Sequence, residues 1–139
     1  MGFFIRIINK KHYDKKLKRF TSLSFKPSSN GGISVIDKEC VLHSTGCVCD
    51  HIQRYYGSVS GDPPIYWEIP PNLLPENCEF QQTPSASGDD CHHNILNVTN
   101  QEAREILLKS NMFAEFYLCE NKECSRLLCE KDLDLFKGE

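Results

Sequence analysis

Eight cysteines and five histidines occur in a chain of 139 residues. Thiolate and imidazole are leading zinc ligands and also a common nucleophile–base pair, so this inventory sets the first chemistry to consider. Cys40, His43, Cys47, Cys49 and His51 fall close together in sequence. With a helix over Cys47 to Tyr56, Cys47 and His51 make an i, i+4 pair on one face, and Cys40 and His43 add two ligands from the preceding turn. Cys49 is excluded because residues two apart on a helix diverge by about 200°. The predicted metal site is therefore Cys40, His43, Cys47 and His51. Its ion would be zinc in a closed structural site, and the alternative is no cofactor at all. A competing set joins Cys119, Cys124 and Cys129 to a histidine of the Cys91–His93 stretch. Steps of five residues separate side chains by about 140° on a helix, so that set converges only across loops. No Cys-x-x-Cys pair occurs, although that spacing is what makes zinc motifs specific. The plain alternative is that the cysteines are ordinary reduced thiols in core or surface positions.

Thiol catalysis asks for a cysteine activated by an imidazole that a third group orients. Cys91 precedes His92 and His93, but neighbours on a strand point to opposite faces. A working dyad would be Cys91 with His93, or with the remote His51, and Asp89 or Asp90 could orient the base. His92 and His93 as buried, hydrogen-bonded structural residues are the competing reading. Rossmann and P-loop roles are excluded, since neither glycine-rich fingerprint is present.

Charge is divided along the chain. The net charge is −3, yet residues 1–38 hold nine basic groups against two acidic ones, and the remainder carries the acidic excess. The Lys10–Arg19 run could attract phosphates, including those of a nucleic acid, or an anionic partner. Only Tyr13 interleaves it, so a stacking surface for bases is not written into the run. A solvated segment is its ordinary reading. The opening Met1–Arg6 has neither a basic n-region nor a long apolar run, so no export leader is expected. A cytoplasmic location with reduced thiols follows, with disulfides as the alternative. The apolar runs are far too short to span a membrane.

The elements that must position these groups read as a single compact α+β domain, 1–139, with a mainly antiparallel sheet and two principal helices. Phe3 to Ile8 is a first strand interrupted by Arg6, which must find an edge or a buried partner. Phe20 to Lys26 alternates as a strand, Pro27 to Gly32 is turn-rich, and Ile33 to Ile36 resumes, which predicts a hairpin. A helical pattern follows, capped at Ser44 or Thr45, with Val48, Ile52 and Tyr55 on one face and Gly57 as its stop. Ile65 to Ile69 is a strand bracketed by prolines, as edge strands often are, where Tyr66 and Trp67 cover the core as the ordinary reading or meet a protein partner as the functional alternative. Cys78 to Gln82 and His92 to Val98 are further strands, with a loop over Thr83 to Asp90. Thr99 and Glu102 have capping-box spacing ahead of a helix whose inner face is Ala103, Ile106, Leu107 and Ser110. Phe113 to Leu118 is ambiguous.

Arg6 in the opening strand, then Phe20-Thr21-Ser22-Leu23-Ser24-Phe25-Lys26-Pro27, then Ile33-Ser34-Val35-Ile36-Asp37, resembles a family of small uncharacterised bacterial proteins with an "FKP" strand end followed by an "SV-D" strand. The resemblance covers less than a third of the chain. It implies a bacterial cytosolic origin, and the cysteines lie outside it. Arg6 with Thr21, Ser22 and Ser24 also resembles the Arg, Ser-Thr-Ser, Glu layout of ADP-ribosyltransferases, but without a Glu-x-Glu or Gln-x-Glu pair. That layout implies a phosphate on Arg6 and a ribose end braced by the serine strand. The expected function is a non-enzymatic binding or regulatory module of a bacterial operon, of the defence or toxin–antitoxin kind, with a protein partner. The alternative is a small nucleotide- or nucleic-acid-directed enzyme using Arg6, Ser22, Cys91 and His93.

Overall fold

The computed structural model describes residues 2–25, 27, 32–57, 63–83, 88–121 and 124–136. Most of the expected 27–32 turn, Gly61 and Asp62, and the middle of the 83–90 loop lie outside these residues. Strands β1 (Phe4–Ile7), β2 (Tyr13–Asp14), β3 (Arg19–Phe20), β4 (Ile33–Asp37), β5 (Ile65–Ile69), β6 (Glu79–Gln82), β7 (His92–Leu96), β8 (Phe116–Asn121) and β9 (Cys124–Leu127) alternate with four α-helices. These are α1 (Lys38–Ser44), α2 (Val48–Tyr56), α3 (Asn100–Lys109) and α4 (Met112–Glu115). Seven strands form one sheet in the order β6-β7-β4-β1-β5-β8-β9, and every pairing in it is antiparallel. The fold is α+β.

Strand alternation divides the sheet into two apolar faces. Ile5, Ile36, Tyr66, Cys91 and Cys119 share a core with Val41, Val48 and Ile52 of the α1–α2 layer. Phe4, Ile33, Val35, Trp67, Ile95 and Phe116 share the other with Ala103 and Ile106 of α3. The capping box at α3 forms as its spacing predicts. Thr99 Oγ1 accepts from the Glu102 N–H at 3.1 Å, and Glu102 Oε1 accepts from the Thr99 N–H at 3.0 Å.

The helical stretch after β4 is two helices and not one. Asp37 caps α1 by accepting from the Glu39 N–H at 3.0 Å, and the N-cap of α2 is Cys47, without a side-chain bond, instead of the expected Ser44 or Thr45. Gly46 then adopts φ +86°, which only glycine reaches without strain. Its N–H and that of Thr45 both donate to the Val41 carbonyl, closing α1 before α2 begins.

Two other expectations are corrected. Residues 20–37 do not form a hairpin: β3 pairs with β2, Ser22–Phe25 is a 3₁₀ turn, and β4 pairs with β1 and β7. Competing register explains this, because β1 and β7 offer β4 apolar partners on both sides while β3 has only two residues to pair. β5 is central rather than at an edge, lying between β1 and β8. Its prolines stand outside the strand, so no ladder N–H is missing. Tyr66 and Trp67 are consequently buried and offer no partner surface.

Two disulfides join the α1–α2 layer to the sheet: Cys40 to Cys91 at the approach to β7, and Cys49 to Cys119 in β8. This corrects the expectation of reduced thiols. The partners are 51 and 70 residues apart, so only the folded topology brings them within bonding distance.

Candidate functional site in the gap between β1 and β4

The β1–β4 ladder covers only two positions, Phe4 with Asp37 and Ile5 with Ile36, whereas β1 pairs with β5 over four. Past Ile5 the side chain of Arg6 takes the place of the missing ladder. Its Nη1 donates to the Ser34 carbonyl at 2.7 Å and its Nε to the Ser24 carbonyl at 3.2 Å. Among the described residues Arg6 has no carboxylate partner, and these two carbonyls are the partners that its place in the strand requires. Burial pushes its pKa down from the ordinary arginine value, but a guanidinium keeps its charge in proteins. A cavity of about 230 Å³ opens in the gap, lined by Arg6, Asn9, Ser34, Tyr56 and His92 together with apolar strand residues. That is smaller than the roughly 300–1,000 Å³ of pockets for drug-sized ligands.

Ser34 and His92 meet on one face of the sheet. β4 and β7 pair Ser34 with Asn94 and Ile36 with His92, so Ser34 and His92 are diagonal cross-strand neighbours. Ser34 Oγ is hydrogen-bonded to His92 Nε2. The other ring nitrogen, Nδ1, lies 2.6 Å from the carbonyl oxygen of Thr83. A carbonyl can only accept, so in the neutral ring Nδ1 carries the proton and Nε2 the lone pair. Ser34 Oγ–H therefore donates to His92 Nε2, and the Thr83 carbonyl fixes the tautomer. The Thr83 hydroxyl steadies the neighbouring position by accepting from Asn94 Nδ2 at 3.0 Å.

A second polar cluster lies behind Tyr56. Asp89 accepts from the Tyr56 hydroxyl at 2.5 Å, the Cys91 N–H at 2.9 Å and His51 Nε2 at 2.9 Å. The other His51 nitrogen, Nδ1, accepts from Thr45 Oγ1 at 2.8 Å. Burial raises the Asp89 pKa, but these donors outweigh it and hold the carboxyl below its ordinary value. His51, Asp89 and Cys91 bring ligand atoms within 4.8 Å of one another, a grouping that could hold a metal ion.

The predicted metal quartet does not assemble. Cys40 is bonded to Cys91, His43 is exposed on α1, and Cys47 caps α2 outside both disulfides. His51 turns its ring to Thr45 and Asp89 instead. Cys40 and His43 belong to a helix of their own rather than to a turn before α2, and Cys47 stands at the extended N-cap of α2 instead of inside it, so the expected i, i+4 pair with its two turn ligands does not form. In the competing set Cys119 is bridged to Cys49, while Cys129 lies near Arg126, 3.7 Å from Nη1.

Of the proposed catalytic residues, only Arg6 reaches the cavity. Ser22 opens the 3₁₀ turn rather than a strand, which removes the strand-borne serine of the transferase-like layout. Cys91 is in a disulfide, and His93 faces the other side of β7, against the ring of Phe4. The alternative grouping of Cys91 with the remote His51 and Asp89 is brought together, without a thiol to activate. Ser34, His92 and Tyr56 were not singled out for the cavity. The alternation of His92 against His93 was the available signal, but it does not tell which face is open.

Tyr13 is buried against Phe20 and Phe136, so the Lys10–Arg19 run presents charge without a stacking ring. Among the described residues no helix is long and apolar enough to cross a membrane. No protein-family model, curated protein or solved structure matches the chain.

Proposed function

We propose that the protein is a binding module whose β1–β4 cavity takes a small anionic ligand, a carboxylate or a phosphate. The observation that carries this reading is Arg6, a cation without a carboxylate partner among the described residues, set in the wall of a cavity that Asn9, Ser34, Tyr56 and His92 line together with apolar strand residues. Two of its donors are spent on carbonyls, and the guanidinium still offers Nη2. Charge-assisted hydrogen bonds in such a setting are stronger than neutral ones. Titration of the labelled protein with inorganic phosphate and with acetate should shift the amide resonances of β1 and β4. Arg6→Gln should weaken binding at least about tenfold, in line with the loss of a hydrogen bond to a charged group. Unchanged resonances at both strands would overturn the reading.

A zinc ion at the second cluster is the companion proposal. His51, Asp89 and Cys91 supply nitrogen, oxygen and sulfur ligands, which suit zinc. Cys91 can act as a thiolate only when its bond to Cys40 is reduced, and reduction also frees Cys40 as a fourth ligand. In a reducing cytoplasm, the expected location, bridge and metal would therefore exclude one another. Metal content should be near one zinc per chain in protein purified under reductant and near zero in oxidised protein. Equal contents in both forms would defeat the proposal.

A further inference from the structure

We propose that Ser34 and His92 form a serine nucleophile with its general base, and that the protein hydrolyses small carboxylic esters in the β1–β4 cavity. Three observations meet at one point. The Ser34 hydroxyl donates to His92 Nε2, and the Thr83 carbonyl holds the opposite nitrogen protonated. This is the arrangement a base needs in order to accept the serine proton, with a backbone carbonyl standing where a carboxylate often orients the ring. Ser34 is exposed while His92 is buried, so the nucleophile is reachable and its base is held by packing. Arg6 Nη1 is bonded to the carbonyl of Ser34 itself, which puts a cation within one residue of the attacking oxygen.

The steps balance with water as the only co-reactant. Ser34 Oγ bonds to the acyl carbon as its proton passes to His92 Nε2, and the carbonyl electron pair moves onto oxygen beside Arg6. That pair returns to re-form the carbonyl, the bond to the leaving alkoxide breaks, and the alkoxide takes the proton from His92. Water then attacks the Ser34 ester, giving a proton to His92 and its oxygen to the acyl carbon. Ser34 leaves with the proton restored from His92, and the carboxylic acid is released and gives its own proton to solvent, departing as the anion. The inference rests on the reading of this cavity as an anion site, since an oxyanion forms in it and a carboxylate departs from it. The size of the cavity favours short acyl groups over extended chains.

The test uses the full-length protein with a fluorophosphonate probe and with 4-nitrophenyl acetate and butyrate. A single adduct is expected, mapped by peptide mass to Ser34, together with release of nitrophenolate. Ser34→Ala should abolish both, and His92→Asn should slow both at least about 100-fold, the lower range for loss of a positioned base. Arg6→Gln should slow ester turnover by about 100-fold, as for loss of an oxyanion donor. Phosphate-induced resonance shifts retained in Ser34→Ala show that the variant is folded with its cavity intact. If the wild-type protein is not labelled while phosphate still shifts β1 and β4, the hydrolase is refuted and the binding module stands. If Ser34 is labelled but neither phosphate nor acetate binds, the anion site fails and the nucleophile stands. Equal hydrolysis by Ser34→Ala and wild type overturns the inference.

Discussion

Asp89 shows how much one side chain can hold together. Its carboxylate joins the end of α2 through Tyr56, the interior of α2 through His51, and the approach to β7 through the Cys91 amide. Asp89→Ala leaves a partly buried tyrosine hydroxyl and a buried imidazole without their acceptor. It should cost about 3 kcal/mol, the upper range for losing hydrogen bonds to a charged group, measured by urea unfolding. The pH dependence follows from the depressed pKa of this group. A carboxyl held below its unfolded value stabilises the fold above that value and loses the contribution as pH falls through the folded one. Asp132 acts in the same sense. Paired with Arg126 Nη1 and Nη2 at 2.9 and 2.6 Å, and further with the Cys129 N–H, it is held at about 2. The melting temperature should therefore begin to fall as the pH drops below about 4, the ordinary carboxylate range. Asp89→Asn should flatten that dependence, and a flat profile in the wild type would contradict the assignment.

At the scale of elements, α1 and α2 are short helices that gain their position from what they are tied to. Cys49–Cys119 closes a loop of 70 residues, for which the chain-entropy estimate is about 4 kcal/mol. The Cys40–Cys91 loop overlaps it in sequence, so the two contributions will not add in full. Replacing Cys49 and Cys119 together by alanine should lower the urea midpoint, and thiol reductant should lower the wild-type midpoint further than that of the variant. α3 depends instead on local chemistry. Thr99→Ala removes one half of its capping box and should cost about 1 kcal/mol, with no change in the reductant effect. A Thr99→Ala protein as stable as wild type would show that packing of Ala103 and Ile106 alone holds the helix.

Across the whole molecule, one sheet serves two cores. β1, β4 and β5 contribute to both faces, with Phe4 and Ile5 pointing to opposite sides. Loss of either face therefore exposes the strands that support the other, and the described protein should unfold in one step. Trp67, the sole tryptophan, is fully buried in the α3-side core, while much of the far-UV signal comes from helices on both sides. Urea midpoints by tryptophan fluorescence and by circular dichroism should coincide, and separated midpoints would show that the faces unfold independently. The proposed anion site depends on the same architecture, because the cavity lies where the central ladder between β1 and β4 stops and Arg6 bonds to strand and turn carbonyls instead.

The order of apolar and polar residues was enough to determine the α+β class, the antiparallel character of the sheet, most strand positions and the capped start of α3. Those features arise from alternation, turn chemistry and capping, all of which act between residues a few positions apart. Arg6 was also legible as a charge that a strand must accommodate. The sequence alone did not determine strand order, the central place of β5, the pairing of cysteines or the meeting of Ser34 with His92. Each of these is decided between segments tens of residues apart, where many registers satisfy the same local pattern. Cys40 lies seven residues from Cys47 and eleven from His51, yet its bond runs to Cys91. The break at Gly46 and the pairing of β4 with β7 set that distance, and closeness along the chain does not.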